Sequence, residues 1–234
     1  MPESVKILVP QGAEYKAVCR GLSRISTPTP TVFAIPVGSE ALIKYLHKWI
    51  DTEEIRNQTP SQILVMGLCG SLSPHYKAGD IVLYENCIYQ DRAGTSLHEK
   101  CNSNFTAQLH ERLGEKASSV KALTSDSVIW SATQKQQLAQ KSTADVVDME
   151  GFTTLSFFNQ TNTAVAMLRV ISDDCNHNIP DLSNIISPSG KIQPLPLAIA
   201  MLRQPIAATR LIQGSLKGLK ILEKVTKKLF TPPL

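Results

Sequence analysis

Residues 145–174, DVVDMEGFTTLSFFNQTNTAVAMLRVISDD, constrain this chain more than any other stretch. Val146 and Val147 lead into Asp148-Met149-Glu150, and Ala164 to Ile171 leads into Ser172-Asp173-Asp174. Between these β-branched runs, Phe152 to Asn159 has the apolar spacing of a buried helix. The order is strand, helix, strand. It sets Glu150 and Asp173 at strand ends, where open α/β sheets bind ligands. Two carboxylates in one crevice need not do the same job. One can be held protonated as an acid while the other stays ionised as a hydrogen-bond acceptor.

The rest of the chain repeats that order. Lys6 to Gln11 reads as a buried strand, followed by a helix through Glu14, Ala17, Val18 and Leu22. Ser23 to Thr31, rich in Ser, Thr and Pro, reads as a loop. Thr31 to Val37 is a second strand, ending at Gly38. Ser39 is then the expected N-cap of a helix with Leu42, Ile43, Leu46 and Ile50 on its apolar face. Gln62 to Met66 is a third strand running into Gly67-Leu68-Cys69-Gly70, Ile81 to about Tyr89 a fourth, and Val120 to Thr124 a fifth. Strand-then-helix alternation argues an α/β fold with a largely parallel sheet, although periodicity alone does not separate parallel from mixed.

At 234 residues the chain suits one well-buried domain and leaves a second cramped. The net charge is +4, and much of the excess falls in the last 32 residues, which argues against a nucleic-acid footprint on the body. Five cysteines show no CxxC or other metal spacing, as expected of buried thiols in a reducing cytosol. No long apolar segment marks a signal peptide or a membrane span, so a cytoplasmic location is expected.

Each candidate group has a bland reading beside the functional one. Gly67 and Gly70 would let a ligand approach the backbone, or simply form a tight strand-to-helix turn. GLCG is not GxGxxG and no Gly-Lys-Ser/Thr follows it, so neither a dinucleotide nor a P-loop reading stands. Glu14 and Glu150 suit the first turn of a helix, and Ser172 and Asp173 suit a cap. All three acids nevertheless fall at ends of central strands, and three coincidences are less expected than one. The histidines, among them His47 on an amphipathic helix and His177 in a loop, have no metal-binding spacing, so no metal is expected. Ser71 and Ser172 lack a paired histidine for a hydrolase triad.

These pieces resemble the nucleoside phosphorylase and nucleosidase superfamily, especially methylthioadenosine/adenosylhomocysteine nucleosidases. The matching segments are ILVPQGAE, the Gly38 turn, ILVMGLCGSLSPHYKAGDIVL, ALTSDSVI, VVDMEG and LRVISDD. The tail, with AMLRQPIAATRLIQGSLKGL, resembles the hopanoid-associated branch, whose enzymes remove adenine from adenosylhopane. The resemblance implies a three-layer αβα fold around a central mixed, twisted sheet, and cleavage of a purine N-ribosidic bond. It implies Asp173 as the acid that protonates N7 of the leaving base, and Glu14 as the base that activates water. Glu150 would accept hydrogen bonds from the ribose 2′ and 3′ hydroxyls, and Met149 would pack on the sugar. Val128 and Ile129 would line the base pocket and use their backbone groups. Gly67, Leu68, Cys69, Gly70 and Ser172 would complete the substrate-binding set.

The resemblance implies no cofactor, with phosphate open as a co-substrate. In the phosphorylases, arginines near the first three strand ends and a serine in the glycine loop hold phosphate. Here Leu68 replaces that serine and no arginine lies at 10–14, 36–40 or 66–72, which favours water. Arg20, Arg24 and Arg92 stay open as phosphate ligands. A homodimer or larger homo-oligomer is implied, and the rival reading is a nucleoside-binding protein without catalysis. Residues 1–192 form the expected α/β domain and 193–234 a helical extension. In that extension Leu211, Ile212, Leu216, Leu219, Leu222, Val225 and Leu229 fall at helical spacing, and Pro205 separates two helices. Lys217, Lys220, Lys224, Lys227 and Lys228 give a basic face, either solvated while the helix docks on its own core or set against an anionic membrane surface.

Overall fold

The computed structural model describes residues 5–25, 29–52, 55, 61–91, 95–161 and 163–232. Arg92 and residues 26–28 of the expected loop lie outside them. Apolar runs become strands where expected: β1 (Val5–Pro10), β2 (Val32–Ile35), β3 (Gln62–Ser71), β4 (Ile81–Gln90), β6 (Ala117–Thr124), β7 (Val146–Asp148) and β8 (Ala164–Asp173). One boundary is corrected. Gly67 to Gly70 do not follow the third strand but lie inside β3, which runs on to Ser71. Pairing with β8 along the whole stretch holds these glycines in the ladder. An edge strand, β5 (Ser96–Lys100), is added beside β4.

The sheet is mixed. β1 pairs in parallel with β2 and β3, and β3 in parallel with β8, while β4 runs antiparallel to β8 and β5. β6 pairs in parallel with β4 and β7, and β7 returns antiparallel to β3. These pairings close β3, β8, β4, β6 and β7 into a ring. The sheet curls on itself there, with β1–β2 and β5 as its open wings.

Helices cover both faces. On one, α2 (Ser39–Ile50) and α5 (Gly151–Phe158) bury Leu42, Leu46, Trp49, Leu155 and Phe158 against the sheet. On the other, α1 (Ala13–Leu22), α3 (Ser103–Leu113) and the long α7 (Pro205–Phe230) share a core with Ile7, Leu64, Met66 and Leu168. α4 (Ala132–Ser142) and α6 (Pro194–Arg203) complete the set. Ser39 is not the N-cap of α2. Gly38 holds that position, and the Ser39 hydroxyl donates to the Met149 carbonyl at 3.2 Å instead.

α7 docks on the body and leaves its lysine face in solvent. It approaches so closely that little but hydrogen fits between backbones. A Cβ on Gly214 would lie 2.0 Å from the Ser172 carbonyl oxygen. Gly214→Ala is expected to destabilise the fold by about 1–3 kcal/mol, as overpacking does. A thermal melt reads this as a fall of several degrees, and an unchanged melting temperature would contradict the close contact.

Candidate active site

β8 alternates, so Val165, Met167, Arg169 and Ile171 face the α2–α5 side of the sheet. Arg169 is fully buried in that row. A buried cation persists only where acids meet it, and here they arrive from two other elements. Its Nη2 lies 3.2 Å from Asp148 Oδ2 and 3.4 Å from Glu150 Oε2. Asp148, the last residue of β7, also accepts from the Thr124 hydroxyl at 2.8 Å and the Gly151 amide at 3.2 Å. Glu150, at the N-cap of α5, accepts from the Gly38 amide at 3.0 Å.

Glu14, in the first turn of α1, accepts the Leu68 amide at 2.6 Å. Arg169 Nη1 and Glu14 Oε1 converge over Gly67, where an added Cβ would meet them at 2.3 and 2.7 Å. Any side chain at 67 would push the two apart. Arg169 Nε and Nη1 make no hydrogen bond among the described residues, which leaves N–H donors beside Glu14. Burial pushes the Glu14 pKa up to about 7, against the opposing Arg169 charge and the Leu68 amide. Burial likewise raises Glu150, and Arg169 again offsets part of it. Burial works against the charge of Arg169 itself, but Asp148, Tyr84, Glu150 and Glu14 outweigh it and keep it protonated.

Asp173 belongs to a second cluster. The β3–β8 register shifts between Cys69 and Gly70: Cys69 faces Ile171, Gly70 faces Asp173, and Ser172 is the extra residue. Such bulges re-aim side chains. The Ser172 hydroxyl lies 2.5 Å from Asp173 Oδ1 and 3.1 Å from the Cys69 carbonyl. The other carboxylate oxygen, Oδ2, is held by Lys135 Nζ of α4, which also donates to the Asp174 carbonyl at 2.8 Å.

A cavity of about 1110 Å³ opens next to the Glu150 end of the first cluster. Met149 and Val128 line it, as does Gly38, which ties the wall to Glu150. Ile43, Ile50, Phe152, Phe157, Leu182 and Ile186 give the wall an apolar part, beside Glu40, His47, Asp126, Gln160 and several hydroxyls. Glu14, Glu150, Asp173, Ser172 and Gly67 to Gly70 lie off that wall. Of the expected base-pocket pair, Val128 is on the wall. The Ile129 side chain is buried instead among Leu72, Ile88, Leu123 and Val147. Cys69 is buried in the core, and Leu68 turns its side chain toward α7, approaching Gly218. Leu68 contributes its amide, not its side chain.

Arg20 and Arg24 both pair with Glu223 of α7, at 3.0 and 2.8 Å, which accounts for two of the three arginines open as phosphate ligands. His47 is exposed on the cavity wall and meets Phe157 edge-on, and His177 pairs with Asp174. Among the described residues, no group of three or more His, Cys, Asp or Glu could hold a metal ion. Arg169, Asp148 and Lys135 are the residues that the sequence reading missed. Arg169 left a signal, a charge inside an apolar run, whereas Lys135 sits in a polar helix and left none.

The family model for the phosphorylase superfamily matches residues 39–186. No curated protein sequence matches the chain. Among solved structures, the 5′-methylthioadenosine/S-adenosylhomocysteine nucleosidase of Helicobacter pylori aligns at 14% identity over 96% of both chains, with a TM-score of 0.71. The futalosine hydrolase of the same organism aligns at 15% over 96% of both, also with a TM-score of 0.71. The S-adenosylhomocysteine nucleosidase of Streptococcus pyogenes, bound to 5-methylthiotubericidin, aligns at 15% over 95% of both, with a TM-score of 0.66.

The raised pKa of Glu14 has a measurable sign. An acid whose folded pKa rises from 4.5 to about 7 contributes its full stability below pH 4.5, and that stability is lost as pH climbs through 7. Glu14→Gln removes the loss. Its melting temperature should match the parent near pH 4 and exceed it by a few degrees at pH 8. Equal melting at pH 8 would place the carboxyl in an ordinary, solvated setting.

Proposed function

We propose that this chain, which belongs to the phosphorylase superfamily, cleaves the N-ribosidic bond of an adenosine-type purine nucleoside with water as nucleophile. The observation that carries the reading is the convergence of Glu14 and Glu150 on one buried arginine, with Glu14 poised near pH 7. Loss of the base leaves positive charge on the sugar, and carboxylates close to it stabilise that charge. Asp173 delivers a proton to N7, and the electron pair of the C1′–N9 bond passes to the base. Glu150 accepts the ribose hydroxyls. Water adds to C1′ and gives its proton to Glu14, whose pKa near the working pH suits a general base.

The charge balance around Arg169 supports water over phosphate. Three carboxyl groups face one guanidinium, so an incoming phosphate dianion would meet repulsion rather than the cationic cradle it needs.

A large apolar substituent at C5′ fits the cavity, and an adenosyl-lipid of the adenosylhopane type is our finer proposal. The volume exceeds the roughly 300–1,000 Å³ of ordinary small-ligand sites, and Ile43, Ile50, Phe152 and Phe157 give it an apolar side. Exposed Leu195, Leu202 and Ile206 on α6 and the start of α7, with Arg203 between them, support contact with an anionic membrane surface.

Two measurements test these statements. Adenine release from adenosine and methylthioadenosine should be independent of added phosphate, with kcat/KM rising as pH passes 7 and Glu14 ionises. Release only with phosphate would overturn the hydrolytic reading, and no release at all would favour a binding protein. Along a series of 5′-alkylthio adenosines, kcat/KM should rise several-fold per added methylene, since each buried one contributes about 0.8 kcal/mol. Ile43→Asp, on the cavity wall, should flatten that series while leaving adenosine within about threefold of the parent. A flat series in the parent would refute the apolar C5′ site.

A further inference from the structure

We propose that Lys135 acts through Asp173 as the source of the proton that reaches the leaving base. The inference rests on the reading of Asp173 as the acid. Of the described lysines only Lys135 is buried, with no exposed surface at all. It is also the one fully buried residue of α4, whose Leu138 and Ala139 are only partly buried against the core. A surface helix ordinarily sinks an apolar side chain deepest; this one sinks an ammonium deeper than its Leu138. Lys135 stands near the start of α4, where the helix dipole disfavours a cation. A methionine of similar length would fill the space without that penalty.

The surroundings aim the ammonium at a single carboxylate. Lys135 Nζ reaches Asp173 Oδ2 and the Asp174 carbonyl. The start of α4 is pinned twice: the Ser131 hydroxyl accepts from the Gln134 amide, and Asn178 Oδ1 accepts from the Ala132 amide at 2.8 Å. The second bond links α4 to the loop that follows Asp173. The remaining titratable groups nearby are already engaged or neutral. The Asp174 carboxylate takes hydrogen bonds from Asn176 and His177, and burial raises the Cys175 thiol.

An aspartate paired with an ammonium has no proton to give, so the acid is the pair. Lys135 passes its proton to the Asp173 carboxylate, and the resulting carboxyl passes one to N7 as the C1′–N9 electron pair moves onto the base. Lys135 is left as the neutral amine. Water then adds to C1′ and its proton goes to Glu14. Exchange with solvent returns Glu14 to the carboxylate and Lys135 to the ammonium, which closes the cycle.

The test compares two leaving groups on the 234-residue chain. Adenine departs only when protonated, whereas 4-nitrophenolate, from 4-nitrophenyl riboside, departs without a proton. Lys135→Gln should lower kcat for adenosine by about 10²–10⁴, the usual worth of a general acid, with KM nearly unchanged. It should leave 4-nitrophenyl riboside within about threefold of the parent. Lys135→Arg, which keeps the charge but not a proton it can lose, should behave like Lys135→Gln while melting near the parent temperature. If the Gln variant unfolds, the Arg variant alone decides. Equal losses on both substrates would show a structural pair, and an undiminished adenosine rate would also overturn the proposal. A parent enzyme that cleaves neither substrate would refute the reading of Asp173, and this inference with it.

Discussion

A guanidinium sealed inside the curled sheet sets the terms for everything near it. Arg169 reaches no solvent, so the fold must bring it carboxylates or not form. They come from β7 and from the N-cap of α5, with Glu14 of α1 facing it across Gly67. β1, β3, β7 and β8 therefore have to meet in one register before any charge is balanced. Asp148 illustrates the order of dependence. It holds Arg169 with one oxygen and, with the other, takes the Thr124 hydroxyl and the first amide of α5. The same contact that neutralises the arginine thus fixes the helix start that presents Glu150.

The C-terminal helix belongs to that arrangement rather than hanging from it. α7 lies against β8 through Gly214 and against Leu68 through Gly218, and α1 meets it through Gly21, where an added Cβ would stand 2.6 Å from the Glu223 carbonyl. Leu68 donates the amide that holds Glu14, and Ser172 carries the bulge that turns Asp173. A shift of α7 would therefore reach both carboxylates. Leu222, Val225 and Leu229 share one core with β1, β3 and β8, so the helix is continuous with the body in packing.

How much of this was legible depends on whether a feature is local. Val146–Val147 and Ala164–Ile171 announce strands because they are short, continuous apolar runs, buried on both sides of the sheet, and the acids that follow them fall at strand ends on chain geometry alone. α3 carried an available signal that went unread: Asn102 caps it, and Phe105, Leu109 and Leu113 recur at helical spacing. Gly67 and Gly70 misled as breakers, because the pressure that keeps them small comes from Arg169, Glu14 and Asp173, all distant in sequence. Lys135 was invisible. Within ATQKQQLAQKS it looks like Lys141, and only the tertiary fold buries one and exposes the other.

The two clusters handle charge in opposite ways. Around Arg169 the acids outnumber the cation, so burial leaves Glu14 near pH 7, able to exist in either state. Around Asp173 a single carboxylate meets a single ammonium, and the pair is neutral whichever partner holds the proton. A reaction that must give a proton to a departing base and take one from an arriving water needs two such reservoirs. Were both acids to draw on Arg169, protonating one would raise the other's affinity for its charge, and the two steps would interfere. Placing Asp173 past a β-bulge, with its own lysine, keeps its charge partner apart from Arg169 within one crossing of the same sheet.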